Sequence, residues 1–96
     1  MSLYVISYDI SETRIRNKVS KILEGFGRRI QYSVFECDLE EKVFNRLYKQ
    51  LLEQTIDSDS DSIRIYRLCK KCAEEFVTIG TVGGRNVRKE SNVIIV

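Results

Sequence analysis

The chain has 96 residues and a mass of 11.2 kDa, room for one domain with a modest core. Its 43% hydrophobic and 31% charged residues are ordinary for a soluble globular protein, its net charge of +2 is mild, and it contains no histidine. The missing histidine excludes Ser-His and Cys-His nucleophilic machinery, histidine zinc sites and a histidine general base, which leaves carboxylates, oxygen-held metals, tyrosine or cysteine for any hydrolytic chemistry.

Leu3 to Asp9 is β-branched and aromatic, apolar nearly throughout, and predicts a central strand covered on both faces. Ser11 is positioned to cap a following helix. On that helix Ile15, Val19, Ile22, Leu23 and Phe26 form one apolar face, and Gly25 and Gly27 end it. Arg14, Lys18 and Lys21 share a different face, and Arg16 sits at the edge of the apolar arc. Arg28 to Asp38 predicts a second extended run, with Ile30, Tyr32 and Val34 alternating against Gln31, Ser33 and Phe35. Glu40 to Gln54 predicts a second helix, with Val43, Phe44, Leu47, Leu51 and Leu52 inward. A polar loop over Asp57 to Ser62 leads to an alternating strand, Ile63 to Leu68, and a shorter strand, Phe76 to Gly80. Gly83-Gly84 marks a turn, Arg85 to Asn92 a basic polar segment, and Val93 to Val96 a terminal strand. The fold class is α+β, a ferredoxin-like βαββαβ with an additional C-terminal strand. Residues 1–80 form the domain and 81–96 an extension suited to packing on a dimer partner.

Charge is unevenly distributed. Residues 1–36 hold six Lys/Arg against four Asp/Glu, 37–62 three against seven, and 63–96 seven against three. One surface can therefore face phosphates while another repels them. Three cysteines, an odd count, without an apolar leader after Met1-Ser2 predict a reducing cytoplasm and no disulfide framework. No apolar run is long enough to span a membrane, so no membrane partner is expected.

Asp57, Asp59 and Asp61 imitate the first ligands of a calcium loop, but Ser62 stands where glycine is needed and Leu68 where a glutamate is needed, which leaves a solvated loop. Cys69-Lys70-Lys71-Cys72 is one CxxC; a closed zinc site would need a second pair from a dimer, and the helix signal after Cys72 is weak for a redox motif. It reads as half-buried thiols near a turn. Gly83-Gly84-Arg85 lacks phosphate-loop spacing and reads as a hairpin turn. Asp9 closes an apolar strand just before a helix, either as an extra capping carboxylate or as a ligand for a hard divalent cation. One carboxylate is a poor metal site; two copies across a two-fold axis make a reasonable one.

Three segments in this order carry a resemblance: Tyr8-Asp9-Ile10, Arg29-Ile30-Gln31-Tyr32-Ser33-Val34-Phe35-Glu36, and Ile63-Arg64-Ile65-Tyr66-Arg67-Leu68-Cys69. From about Leu3 to Gly80 the chain resembles the CRISPR-associated protein 2 family, small ferredoxin-like adaptation proteins that work beside the CRISPR integrase. The resemblance implies a homodimer in which the two copies of Asp9 face each other and share Mg2+, catalysing magnesium-dependent cleavage of single-stranded RNA or duplex DNA during spacer acquisition. It places Tyr8 beside the ligand, Arg16, Lys18 and Arg29 near the phosphate path, and Ser33 and Phe35 at the site or the dimer contact. Lys18 stands where other members carry arginine, which weakens a bidentate phosphate contact there. The alternative is a non-catalytic scaffold, with Arg14, Lys18, Lys21 and the Arg85–Lys89 segment gripping phosphates while the integrase is held on DNA. An RNA-recognition module on the same fold would need an aromatic RNP1 run, which is absent.

Overall fold

The computed structural model describes residues 1–54, 56, 59–82 and 85–91, and side chains as far as residue 80. The element order is β1 (Ser2–Asp9), α1 (Thr13–Glu24), β2 (Arg28–Gln31), β3 (Val34–Leu39), α2 (Glu41–Leu52), β4 (Ser62–Leu68), α3 (Lys70–Glu74), β5 (Val77–Val82) and β6 (Arg85–Ser91). The first six form an antiparallel sheet in the order β2-β3-β1-β4 with α1 and α2 on one face, the expected βαββαβ. β5 and β6 pair with each other in a separate hairpin. The segment read as basic and polar is thus strand β6, while the Gly83-Gly84 turn and the Val93–Val96 strand lie outside the described residues. Among the described residues no helix is long and apolar enough to cross a membrane.

Alternation along β1 decides the layering. Tyr4, Ile6 and Tyr8 are buried toward the helices, where they meet Ile15, Val19 and Leu23 of α1, Phe35, Cys37 and Leu39 of β3, and Leu47 and Leu51 of α2. Tyr4 stacks on Phe44 with ring centroids 4.0 Å apart, and Phe44 continues to Tyr48 at 6.0 Å. Leu3, Val5 and Ser7 point to the opposite face and are only half-buried. The expectation of a strand covered on both faces is therefore met on one face within a single chain. On the other, Val5 stands across from Glu36 and Tyr66, and Ser7 across from Val34 and Arg64. Only the Leu3 end is approached by α3, through Lys70, Ala73 and Glu74.

Two local expectations need correction. The Arg28–Asp38 run is not one strand but a hairpin, with Tyr32 and Ser33 in the turn and a register shift between Arg29 and Gln31. The cause is visible in side-chain phase: Phe35, Cys37 and Leu39 are buried at odd positions, while the even-numbered Tyr32 is 75% exposed. Helix α1 begins one residue later than Ser11 implied, with Glu12 at the cap position and no side-chain cap bond. Ser11 spends its hydroxyl elsewhere, on Asp61. In α2 the inward face holds except at Leu52, which is 64% exposed at the final residue.

Candidate metal and nucleic-acid site

Asp9 is the last residue of β1, exposed and on the same side of the sheet as Val5 and Ser7. Its position is fixed on every side by neighbours. The Tyr8 amide donates to the Ser33 carbonyl at 3.1 Å, and Asp9 stands in register with Ser62 at the start of β4. Ile10 is buried immediately afterwards and acts as a plug under the loop. The Ser11 amide and hydroxyl both donate to Asp61 Oδ1 at 3.0 Å, stitching the exit of β1 to the entrance of β4. Asp61, read as one of several solvated loop acids, is thus a fastener of the site. Its signal in the sequence was its place one residue before a strand that pairs with β1.

The arginines expected on the phosphate path are engaged within the chain. Arg16 Nη1 donates to the Ile10 carbonyl and Nη2 to Thr13 Oγ1, both at 3.1 Å, so its guanidinium closes the β1–α1 loop. Arg29 donates to the Tyr32 carbonyl and to the Ser20 hydroxyl, lies 3.6 Å from Glu24 and stacks 4.9 Å above the Phe35 ring. It joins the β2–β3 turn to α1. Ser20, buried on the apolar side of α1, is a partner that the helical pattern alone did not reveal.

Phe35 is fully buried beneath the site and meets Tyr8 at 6.4 Å, so it supports the strand end from the core side. Tyr8 is also buried, its hydroxyl 3.5 Å from the Tyr32 carbonyl. Ser33 is half-buried in the turn and reaches β1 through its backbone. Lys18 and Lys21 are exposed on α1 and line one shallow hollow with Ile22 and Gln54. Arg14, also exposed, pairs with Glu12 at 3.5 Å.

Asp9 supplies one hard oxygen donor, suited to a hard divalent cation. Among the described residues no group of three or more His, Cys, Asp or Glu side chains comes together to hold a metal. A hollow of about 620 Å3 lies at the opposite end of β1, lined among others by Met1, Tyr4, Phe44, Tyr48 and Arg67, and is separate from Asp9.

Comparison with known proteins agrees with this architecture. Residues 1–76 match the family model described as CRISPR associated protein Cas2. A relative from Chloroflexus aurantiacus, named CRISPR-associated endoribonuclease Cas2 1, is 48% identical over 77 residues, covering 80% of this chain and 83% of the relative. The crystal structure of Streptococcus pyogenes Cas2 at pH 6.5 superposes with a TM-score of 0.69 at 30% identity, covering 81% of this chain and 99% of that one. A chain of a partial Cas6-RT-Cas1–Cas2 complex matches with a TM-score of 0.50 at 30% identity, over 74% of this chain and 82% of that one. With its family match spanning α1, α2, α3 and the whole four-stranded sheet, the chain belongs to the CRISPR-associated Cas2 family.

Proposed function

We propose that this protein is a CRISPR adaptation protein that works as a homodimer and hydrolyses phosphodiester bonds, in RNA or DNA, with magnesium held between the two copies of Asp9. The observation that carries this reading is the placement of Asp9, exposed at the end of β1 on the sheet face that no helix of the sheet's own layer covers. A second copy laid against that face would bury Val5 and Val34 and bring a second carboxylate to the first. The endoribonuclease name of the Chloroflexus relative supports the nuclease reading.

The two copies of Asp9 would hold the magnesium, which would supply polarisation of the phosphate and a lowered pKa for bound water. The chain's own residues do the rest. The Asp9 carboxylates hold the cation, and the Ser11–Asp61 and Tyr8–Ser33 bonds keep them in place. Lys18 and Lys21, exposed on α1, draw in the phosphate backbone. Arg16 and Arg29 act from within the chain, as posts for the loops around Asp9.

The experiment compares the parent with Asp9→Ala. The variant is expected to stay a folded dimer by size-exclusion chromatography and circular dichroism while losing magnesium-dependent cleavage of single-stranded RNA and duplex DNA. Undiminished cleavage by the repurified variant would sink the nuclease assignment.

A second reading, a scaffold that holds the CRISPR integrase on protospacer DNA, is favoured by the match to a chain of a Cas1–Cas2 assembly. It expects Asp9→Ala to support spacer integration in cells as well as the parent. Loss of integration, with dimer and integrase complex intact, would exclude the scaffold-only role.

A further inference from the structure

Cys69 and Cys72 were expected to be half-buried near a turn, and both are exposed. Cys69 follows the last residue of β4, and Cys72 lies in α3. The Cys72 amide donates to Cys69 Sγ at 3.3 Å, which folds the first sulfur back over the turn that carries the second. Residues three apart on a helical turn have Cβ atoms roughly 5–6 Å apart, and a disulfide asks for about 3.5–4.5 Å between them, so the turn tightens by roughly 1–2 Å when the bond forms. The third cysteine, Cys37, is fully buried in the core and takes no part.

We infer that Cys69 and Cys72 are a reversible redox pair, a site of thiol–disulfide exchange whose co-reactant is a small-molecule or protein disulfide, with Cys69 the attacking sulfur and Cys72 the resolving one. In the oxidising direction the Cys69 thiolate attacks one sulfur of the co-reactant. A mixed disulfide forms and one thiolate leaves, taking a proton from water. Cys72 then gives up its proton, attacks Cys69 Sγ and expels the second thiolate. Two protein thiols become one disulfide while the co-reactant disulfide becomes two thiols, so electrons and atoms balance.

The two sulfurs are not equivalent. The Cys72 amide and thiol both donate toward Cys69, which lowers its pKa below the ordinary thiol value, opposed in part by the Glu75 carboxylate. Donating to that sulfur, and lying beside its charge, raises the pKa of Cys72; Glu75 adds to the rise and Lys71 offsets part of it. Exposure, asymmetry and a turn that can close are the features of an exchanging pair, whereas a structural disulfide would be buried. The pair also occupies the only stretch between the sheet and the β5–β6 hairpin, so its oxidation state is written into the joint that carries the C-terminal strands.

The test equilibrates the purified full chain in buffers of graded reduced and oxidised glutathione, quenches with acid, alkylates in denaturant and weighs the products. Two of the three thiols should disappear together into one intrachain disulfide, with Cys37 remaining alkylable. Cys72→Ser should accumulate a glutathione adduct on Cys69, and Cys69→Ser should accumulate markedly less on Cys72, both variants keeping the parent circular dichroism spectrum. Thiols that stay free across the series would overturn the inference, as would disulfides formed mainly between chains. Zinc copurifying at one ion per two chains and shielding both pairs from alkylation would assign the cysteines to a shared metal instead.

Discussion

Replacing Arg29 separates the basic residues that build the site from those free to meet phosphate. Arg29→Ala removes the donor to the buried Ser20 hydroxyl and the donor to the Tyr32 carbonyl. Hydrogen bonds from a charged group contribute about 1.5–3 kcal/mol each. The side chain is 39% exposed, the Tyr32 carbonyl can turn to water, and the Ser20 hydroxyl can rotate toward a helix carbonyl, so the lower end applies. Loss of the guanidinium from above Phe35 adds about 0.5–1 kcal/mol, and loss of the exposed Glu24 pair adds at most about 0.5 kcal/mol. The expected cost is about 3.5–4.5 kcal/mol, a large part of the total stability of a chain this size, which is on the order of 5–14 kcal/mol. Arg29→Lys should recover less than half of it, because an ammonium cannot span Ser20 and Tyr32 as the planar fork does. The assay is urea unfolding followed by circular dichroism at fixed protein concentration, so that self-association does not shift the midpoint. Nucleic-acid affinity is measured alongside, as a function of salt. The reasoning is refuted if Arg29→Ala unfolds within about 0.5 kcal/mol of the parent while the salt slope of binding falls by about one phosphate contact.

Lys18→Ala with Lys21→Ala should do the reverse, leaving the urea midpoint unchanged and reducing the salt slope of binding by about 0.7–0.9 for each lysine that contacts a phosphate. Gly27→Ala should cost about 1–3 kcal/mol in the same unfolding assay, because an added Cβ would lie 2.2 Å from the Glu36 carbonyl oxygen and 2.5 Å from Cys37 Sγ. Burial, aided by the nearby Glu36 carboxylate, pushes the Cys37 thiol up from 9.0 to about 11. The folded chain therefore holds a proton there that the unfolded chain releases, so this contribution is intact below pH 9 and is lost as pH rises toward 11, by about 2 kcal/mol. A parent-minus-Cys37→Ala difference in unfolding free energy that stays flat across that range would contradict this.

The ferredoxin-like core was readable because each of its long elements repeats a single period. The apolar faces of α1 and α2 and the alternation of β4 survive almost intact, since burial against one sheet rewards that pattern. The β2–β3 hairpin was not, because its turn uses Tyr32 and Ser33 with no glycine or proline to mark it, and only a flip of side-chain phase records the break. Asp9 stood out by ending an apolar strand with a charge. The engagement of Arg16 and Arg29 was hidden, because their partners are backbone carbonyls and hydroxyls 3 to 9 positions away, which make no charge pattern in the sequence; what fixes Arg29 is the distance to Ser20 and Tyr32 that folding creates. The two-sided apolar character of β1 pointed further than the single chain satisfies, since its second face stays half-open.

The clasp between Ser11 and Asp61 bears on the thermodynamics of assembly. Ordering one residue's backbone costs roughly 1–2 kcal/mol, and two bonds to a single carboxylate oxygen meet that cost at the Asp9 loop while the chain folds. On the proposed function, an incoming second copy, cation or nucleic acid would find the carboxylate already held and would not spend binding energy to immobilise it. On that reading a change at Asp61 would be felt as weaker association at a carboxylate it never touches.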